Sequence, residues 1–393
     1  MRYRKIFIVT LLLVAVVCCF VTCSQQPSGN DPRGTLYAGS KACMQCHKDI
    51  VDDYVHTGHF KTSSPVLYDS IKKALMGTKT IADFPNGHTV KVEDAGNSIK
   101  QTETDGNNVI ESEKLEVAFG SGEKAQTFGY WKNNQLFELP LTYLSQMQLW
   151  TNSPGFPEEY PYFARAIVSR CFECHATYVY HRTENPKGLE LREILNANTI
   201  VYGIDCERCH GPAKEHVDFH LANPDEKKAH FIVSISSLSR SQQTDLCATC
   251  HSGNHPPILR SIFAFTPGDS LKRYYIYNPG SYASPDVHGM QLQSLMQSAC
   301  YQKSTTLTCI TCHNSHVSEK NKEQETLITQ CFSCHQQSKH SSQMRVEQKN
   351  CITCHMPLQA SKSLDFNNSS GTHSILYKLR THHIAIYPKT EWQ

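Results

Sequence analysis

The sequence predicts a mainly α-helical fold with long loops, built around a packed array of prosthetic groups rather than a large apolar core. Hydrophobic residues make up 39% of the 393 residues, so side chains alone supply little material for a conventional core. The pattern C-x-x-C-H occurs seven times, and it is the signature of covalent c-type haem attachment. Alternating polar and apolar runs between residues 80 and 144 add a small antiparallel β-meander, inserted between the first and second motifs.

The seven motifs are numbered here as sites 1 to 7 in chain order. In each, two thiols three positions apart can reach the two vinyl groups on one edge of a haem, and the next residue, a histidine, binds the iron. We therefore predict seven covalently attached haems c, each with its iron. The predicted attachment residues are Cys43, Cys46, Cys171, Cys174, Cys206, Cys209, Cys247, Cys250, Cys309, Cys312, Cys331, Cys334, Cys351 and Cys354. The predicted proximal iron ligands are His47, His175, His210, His251, His313, His335 and His355.

Zinc sites and disulfides are the two other uses of paired cysteines. Zinc does not require a histidine directly after every pair, and a disulfide requires no histidine at all. The motifs use 14 of the 18 cysteines. Of the others, Cys300 is predicted to be a buried thiol.

Histidine is abundant enough to supply a second, distal ligand to every iron, because 14 of the 21 histidines lie outside the motif positions. Apolar residues three to four apart predict a helix after His47, and residues 291–296 also have a helical pattern. Histidines near a motif or at the start of a predicted helix are preferred as distal ligands. They are His59, His216, His288, His316 and His382, with His56, His220 and His383 as the competing neighbours.

The N-terminus has the pattern of a bacterial export signal. Residues 1–22 combine a positively charged start with an uncharged apolar run, and Cys23 follows in a lipobox-like context. We predict lipidation at Cys23, a flexible tether over residues 23–36, and a seven-haem domain over residues 37–393 that includes the β-meander. The chain is then exported as a lipoprotein, on the bacterial outer membrane or a membrane facing the periplasm. An uncleaved anchor or simple secretion is the alternative.

Charge gives no indication of a nucleic-acid partner. The net charge is +2, and no long run of basic residues is present. The predicted partners are instead redox proteins, with the membrane contacted through the lipid anchor.

The motifs resemble those of the extracytoplasmic multihaem c-type cytochromes, which include the nitrifiers' tetrahaem cytochrome and the hydroxylamine-oxidoreductase and tetrathionate-reductase-like enzymes. The matching stretches are GSKACMQCH with a later T-x-H at His59, CERCHGP with His216, CITCHNSH with His316, and CITCHMP with a late histidine. The resemblance implies a mostly helical fold with few sheets and haems in stacked or angled pairs. This chain has seven motifs rather than eight and no C-x-x-C-K site.

Two functions are compatible with these observations. The first is electron transfer along a chain of seven haems outside the cytoplasm, most of them held by two histidines, because such ligation leaves no open position on the iron. The alternative is a haem oxidoreductase that acts on a small nitrogen or sulfur compound at one open haem, which would add a small-molecule substrate. No catalytic residue is predicted.

Overall fold

The computed structural model describes residues 31–188, 190–253, 257–276, 290–318, 324–335, 351–367, 374–388 and 390. Within these ranges the fold is not mainly α-helical, and that prediction is wrong. Seventeen strands form several antiparallel sheets, whereas the longest described helix has only 12 residues. The motif segments form short helical turns, and much of the chain between them is extended.

The described α-helices are numbered in chain order. They are α1 (Ser40–Cys46), α2 (Lys48–Tyr54), α3 (Tyr68–Leu75), α4 (Ser169–His175), α5 (Cys206–His210), α6 (Lys214–Ala222), α7 (Arg240–His251), α8 (Gln291–Met296), α9 (Ala299–Lys303), α10 (Cys309–Cys312), α11 (Gln324–Phe332) and α12 (Cys351–His355). The helices predicted after His47 and over residues 291–296 are therefore present as α2 and α8. Short 3-10 helices lie at Ala197–Thr199, Ile235–Ser237, Ile262–Ala264 and Leu271–Arg273.

The strands are numbered in the same way. They are β1 (Ser63–Pro65), β2 (Ile81–Asp83), β3 (His88–Asp94), β4 (Ile99–Asp105), β5 (Asn108–Lys114), β6 (Val117–Phe119), β7 (Ala125–Lys132), β8 (Gln135–Glu138), β9 (Leu141–Leu144), β10 (Leu149–Asn152), β11 (Arg165–Ile167), β12 (Ala176–Tyr178), β13 (His181–Lys187), β14 (Glu190–Leu195), β15 (Val201–Tyr202), β16 (Leu358–Asn367) and β17 (Ser374–Arg380).

Two sheets occupy residues 63–167, which we call the strand-rich region. Strands β2 to β5 form a four-stranded antiparallel meander in chain order. A seven-stranded sheet has the order β1-β6-β7-β8-β11, with β9 paired to β7 and β10 paired to β9. The meander lies inside the predicted interval, but the whole region is larger than the small insertion that the sequence predicted.

A hydrophobic cluster lies between these two sheets. Val90 and Ile99 contribute from the meander, and Phe128 and Trp150 contribute from the larger sheet, each at most 1% exposed. Val90 and Val92 alternate with polar residues along β3, and together with Ile99 at the start of β4 they place one face of the meander in this cluster. Burial of such large side chains supplies the strand-rich region with its own apolar core.

A second cluster connects the larger sheet to site 2. Phe119 of β6 contacts Phe172 of α4 edge to face, with ring centroids 5.1 Å apart, and both side chains are buried. Because Phe172 lies between the two cysteines of site 2, packing against the sheet fixes the position of that motif helix.

Three two-stranded antiparallel sheets complete the described strands. They pair β12 with β15, β13 with β14, and β16 with β17. None of the helices in the described ranges is long and apolar enough to span a bilayer. The predicted signal, residues 1–22, and the predicted lipidation residue Cys23 lie outside the described residues.

Candidate functional site

Every motif coincides with a short helical segment. Helices α1, α4, α5, α7, α10, α11 and α12 carry the motif cysteines or end within the motif. In a helix, residues three apart lie on one face, so each pair of thiols points to the same side. The cysteines described are unpaired by disulfides, and no three His, Cys, Asp or Glu side chains of the described ranges form a metal-binding group.

Two motif histidines are opposed by nearly parallel imidazoles from elsewhere in the chain. The rings of His47 (site 1) and His216 have centroids 6.3 Å apart and planes 15° apart. The rings of His210 (site 3) and His316 have centroids 5.9 Å apart and planes 7° apart.

Two further motif histidines have partners at the same separation with other ring orientations. His251 of site 4 faces His59 at 6.0 Å, with an interplanar angle of 76°. His313 of site 5 faces His382 at 6.1 Å, with an angle of 35°. Four of the five preferred distal candidates thus lie opposite a motif histidine, and the fifth, His288, is outside the described residues.

These separations fit a haem iron. Two imidazoles that bind one metal ion from opposite faces, each over about 2 Å, have ring centres about 6 Å apart. A direct hydrogen bond between two imidazoles would place their ring centres closer together than this, so the observed separations fit an intervening metal ion better than a hydrogen bond. The residues of sites 1, 3, 4 and 5 could therefore each hold an iron between two histidines.

The competing histidines have other surroundings. His220 contacts the His216 ring from the next turn of α6, at 4.6 Å between centroids, and it is His216 that faces His47. His56 is exposed. The hydroxyl of Tyr387 lies 3.3 Å from Nδ1 of His383. The sequence identified these histidines as competing candidates, but it did not show which member of each pair faces a motif histidine.

Hydrogen bonds at Nδ1 fix the tautomer of several histidines, and with it the nitrogen that could bind a metal. Nδ1 of His210 lies 2.9 Å from the carbonyl oxygen of Val233, and Nδ1 of His355 lies 2.7 Å from that of Ala385. A carbonyl only accepts, so Nδ1 carries the proton and Nε2 keeps its lone pair. His216 makes the same kind of bond, 2.7 Å to a backbone carbonyl.

Site 2 has a different partner at this position. Nδ1 of His175 lies 3.0 Å from the hydroxyl oxygen of Thr62 and 3.3 Å from its carbonyl oxygen. Thr62 immediately precedes β1, so the strand-rich region orients the site 2 histidine.

Burial keeps key imidazoles neutral, which is the form that binds iron. Burial lowers the pKa of His251 to about 4, and neighbouring histidines add to the effect. Burial likewise lowers the pKa of His382 to about 4, with His313 as a second cause. For His47 and His316 the pKa is also lowered, again chiefly by burial.

A buried charge cluster at site 3 was not predicted. The guanidinium of Arg33 lies 2.6 Å from the carboxylate of Glu207 and 2.8 Å from that of Asp205, and these three side chains are at most 6% exposed. Glu207 also accepts hydrogen bonds from the backbone N–H groups of Ala38 and Gly39. The cluster therefore fastens the N-terminal segment to the site 3 helix.

A second buried glutamate organises the surroundings of site 2. The Glu173 carboxylate accepts from the Ser261 hydroxyl at 2.6 Å and from the Ile262 amide at 3.0 Å, and it pairs with Arg170 at 2.7 Å. Sites 2 and 3 are the two motifs that carry a glutamate between their cysteines. A glutamate between the two cysteines is the sequence signal that could have predicted these buried clusters, because a charge placed beside an apolar cofactor needs a specific partner.

Residues 160–211, which contain sites 2 and 3, match a protein-family model described as cytochrome c554 and c-prime. This finding and the motifs support a multihaem c-type cytochrome. The fold of this chain is similar to that of a solved structure titled "Crystal Structure of Outer Cell Wall Cytochrome OcwA", with a TM-score of 0.55 at 17% sequence identity. The similarity covers 84% of this chain and 79% of that one. No curated protein matches the sequence.

Half-buried Cys300, on α9, is outside the motifs. It was predicted to be a buried thiol, and in the structure the residue is only partly buried.

Proposed function

We propose that this chain is an exported multihaem cytochrome that passes electrons along seven covalently attached haems, most of them held between two histidines. When bound, each haem supplies one-electron redox chemistry at its iron. The chain's own residues hold the haems by thioether bonds, place the axial imidazoles, and keep them neutral and oriented.

The observation that carries this proposal is the opposition of His47, His210, His251 and His313 to second histidines at 5.9–6.3 Å. An iron with two imidazole ligands has no position left for a substrate, so such a site favours electron transfer over chemistry on a bound molecule. The hydrogen bonds that present Nε2 support the same interpretation at sites 3 and 7.

Export and attachment to a membrane are part of the proposal. The signal-like residues 1–22, the lipobox-like context of Cys23, and the similarity to a cytochrome described as belonging to an outer cell wall are its support. The partners are then redox proteins or acceptors outside the cytoplasm.

The test is the intact mass of the mature protein together with its ferric EPR spectrum. We expect a mass that exceeds the polypeptide by seven haems, and signals from sites 1, 3, 4 and 5 that are low-spin. A substantial high-spin haem that binds CO, nitrite or hydroxylamine in the unmodified protein would instead support an oxidoreductase. A protein that carries zinc, or fewer than six haems, would overturn the proposal altogether.

A further inference from the structure

The opposed imidazoles of sites 1, 3, 4 and 5 differ in their orientation. At sites 1 and 3 the two ring planes are 15° and 7° apart, and at site 5 they are 35° apart. At site 4 the planes of His59 and His251 cross at 76°, although the ring centroids lie 6.0 Å apart, much as at the other sites. Site 4 therefore differs from sites 1 and 3 in ring orientation, and not in the type or separation of its two imidazoles.

Ring orientation has an electronic consequence for an iron that lies between two imidazoles. The π electrons of each ring interact with the iron d orbital that extends along the normal to the ring plane. Two parallel rings raise the energy of the same d orbital, which separates it from the second orbital of the pair. Two crossed rings act on different d orbitals, and the two orbitals then stay close in energy.

Two measurable properties follow from the energies of these orbitals. A well-separated pair gives ferric low-spin iron a rhombic EPR spectrum, whereas a nearly degenerate pair gives a signal with a much larger maximum g-value. The electron that is lost on oxidation comes from the highest of these orbitals, so parallel rings, which raise it most, favour the ferric state. Crossed rings favour the ferrous state instead, and they raise the reduction potential of the iron.

Hydrogen bonds to the imidazoles of sites 1 and 3 act in the same direction. Nδ1 of His216 donates to the carbonyl oxygen of His230 at 2.7 Å, and Nδ1 of His210 donates to that of Val233 at 2.9 Å. Such a hydrogen bond makes the imidazole a more basic ligand through its other nitrogen, which stabilises ferric iron. Ring orientation and hydrogen bonding therefore both lower the reduction potentials of sites 1 and 3.

Contacts outside site 4 hold the backbone of His59. Its carbonyl oxygen accepts a hydrogen bond from the amide of Ile204 at 2.9 Å. The carbonyl of the neighbouring Gly203 accepts from the Thr177 hydroxyl at 2.8 Å, and the Gly203 amide donates to the Ser63 hydroxyl at 3.1 Å. These bonds fasten the segment that carries His59 to β12 and to the end of β15, so the position of His59 is set by residues that belong to other sites.

We propose that the crossed imidazoles of His59 and His251 make site 4 the electron-holding site among sites 1, 3, 4 and 5. An electron that enters this group of sites rests at site 4, where the reduction potential is highest, and sites 1 and 3 only pass it on. Site 5, with its angle of 35°, has an intermediate potential. This inference rests on the proposed function, because it concerns how the haem sites share the electrons that they transfer.

The test compares the ferric EPR spectra of variants that each lose one proposed distal ligand. His59→Ala opens site 4, and the low-spin signal that it removes should have a large maximum g-value. His316→Ala is the matched control at site 3, and the signal that it removes should be rhombic. His382→Ala at site 5 should remove a signal of intermediate maximum g-value. A rhombic signal lost from His59→Ala, like the one lost from His316→Ala, would overturn the inference.

A redox titration of the unmodified protein, followed by EPR, then orders the potentials. As the potential is lowered, the signal that His59→Ala removes should disappear before the signal that His316→Ala removes, and the opposite order would overturn the inference. Intact mass must show seven haems in each variant. Should His59→Ala fail to fold, His59→Met keeps a side chain that can bind iron, and the signal that it removes identifies site 4 in the same way.

Failure of this inference and failure of the proposed function give different results. A seven-haem, low-spin protein whose site 4 signal is rhombic, or whose site 4 is reduced after sites 1 and 3, refutes the inference and leaves electron transfer by two-histidine haems standing. A protein that lacks covalent haem, or whose site 4 is high-spin before any substitution, refutes the ligation on which the proposed function itself depends.

Discussion

The imidazole of His316 lies nearly parallel to that of His210, with planes 7° apart and ring centroids 5.9 Å apart, although His210 belongs to site 3 and His316 follows site 5. His316 is three residues after the site 5 histidine, yet it faces the histidine of site 3. If His316 is the distal ligand of the site 3 iron, that iron would join the segment that follows site 5 to the helix of site 3.

Replacing His316 by alanine should open site 3. The iron would lose one of two imidazoles, so we expect a new high-spin EPR signal and a CO adduct of one haem that the parent protein lacks. Haem content should not change, because Cys206, Cys209 and His210 remain. His56→Ala is the matched control, since His56 is exposed and should leave the spectrum as it was. An unchanged spectrum for His316→Ala would show that His316 is not an iron ligand.

The sequence identified the residues of the candidate site better than their pairing. Local spacing drew attention to His59, His216, His316 and His382, each of which faces a motif histidine in the structure. It could not show that His59, which follows site 1, faces site 4, because that contact joins residues far apart in the chain. Pairing of this kind depends on tertiary packing, about which a local pattern contains no information.

The fold was less predictable than the site. The alternation in β3 and β4 correctly indicated strands, but β13 and β14 are rich in charged residues and were not recognised. Their pairing satisfies backbone groups in a hairpin without a strong apolar pattern. The resemblance to mostly helical cytochromes also favoured a helical fold. The helical segments at the motifs are short, however, and they do not make the described fold mainly α-helical.

Replacing Cys23 by alanine should release the protein from membranes. The apolar run that ends at Thr22 and the polar segment from Ser24 motivate this expectation. Fractionation of cells, with haem staining of each fraction, measures the outcome. Cys19→Ala is the control, because Cys19 lies within the apolar run of the signal and its replacement should leave the anchor intact. A Cys23→Ala protein that stays in the membrane fraction would indicate an uncleaved anchor.

Arg33→Ala should destabilise the fold around site 3. The change leaves Asp205 and Glu207 buried without their counter-charge, and removing one partner of a buried ion pair costs about 3–5 kcal/mol. Burial already raises the pKa of Asp205, and the loss of Arg33 should raise it further. Chemical unfolding followed by Soret absorbance measures the change.

Arg182→Ala is the control for that measurement. Arg182 pairs with Glu184 on the surface, where both side chains are more than 40% exposed, and such pairs contribute about 0–1 kcal/mol. Equal effects of the two substitutions would show that the Arg33 cluster is not a structural anchor.

Gly203→Ala tests how the backbone positions His59, the proposed distal ligand of site 4. Gly203 has a φ of +65°, and a Cβ there would overlap the carbonyl oxygen of Phe60. The residue after Gly203, Ile204, donates its amide to the carbonyl of His59 at 2.9 Å, so displacement of Phe60 should also move His59. We expect a loss of stability, measured by chemical unfolding, and a partial conversion of site 4 to the high-spin state, measured by EPR.

Gly106→Ala separates this effect from backbone strain alone. Gly106 has a φ of +56°, but no atom lies within 4 Å of the point that an added Cβ would occupy. The control should lower the free energy of unfolding by about 1–2 kcal/mol, which is the cost of placing an L-residue in the left-handed region. It should cause no spectral change. A Gly203→Ala protein that loses stability but keeps a low-spin spectrum would mean that the site 4 iron does not depend on the position of His59.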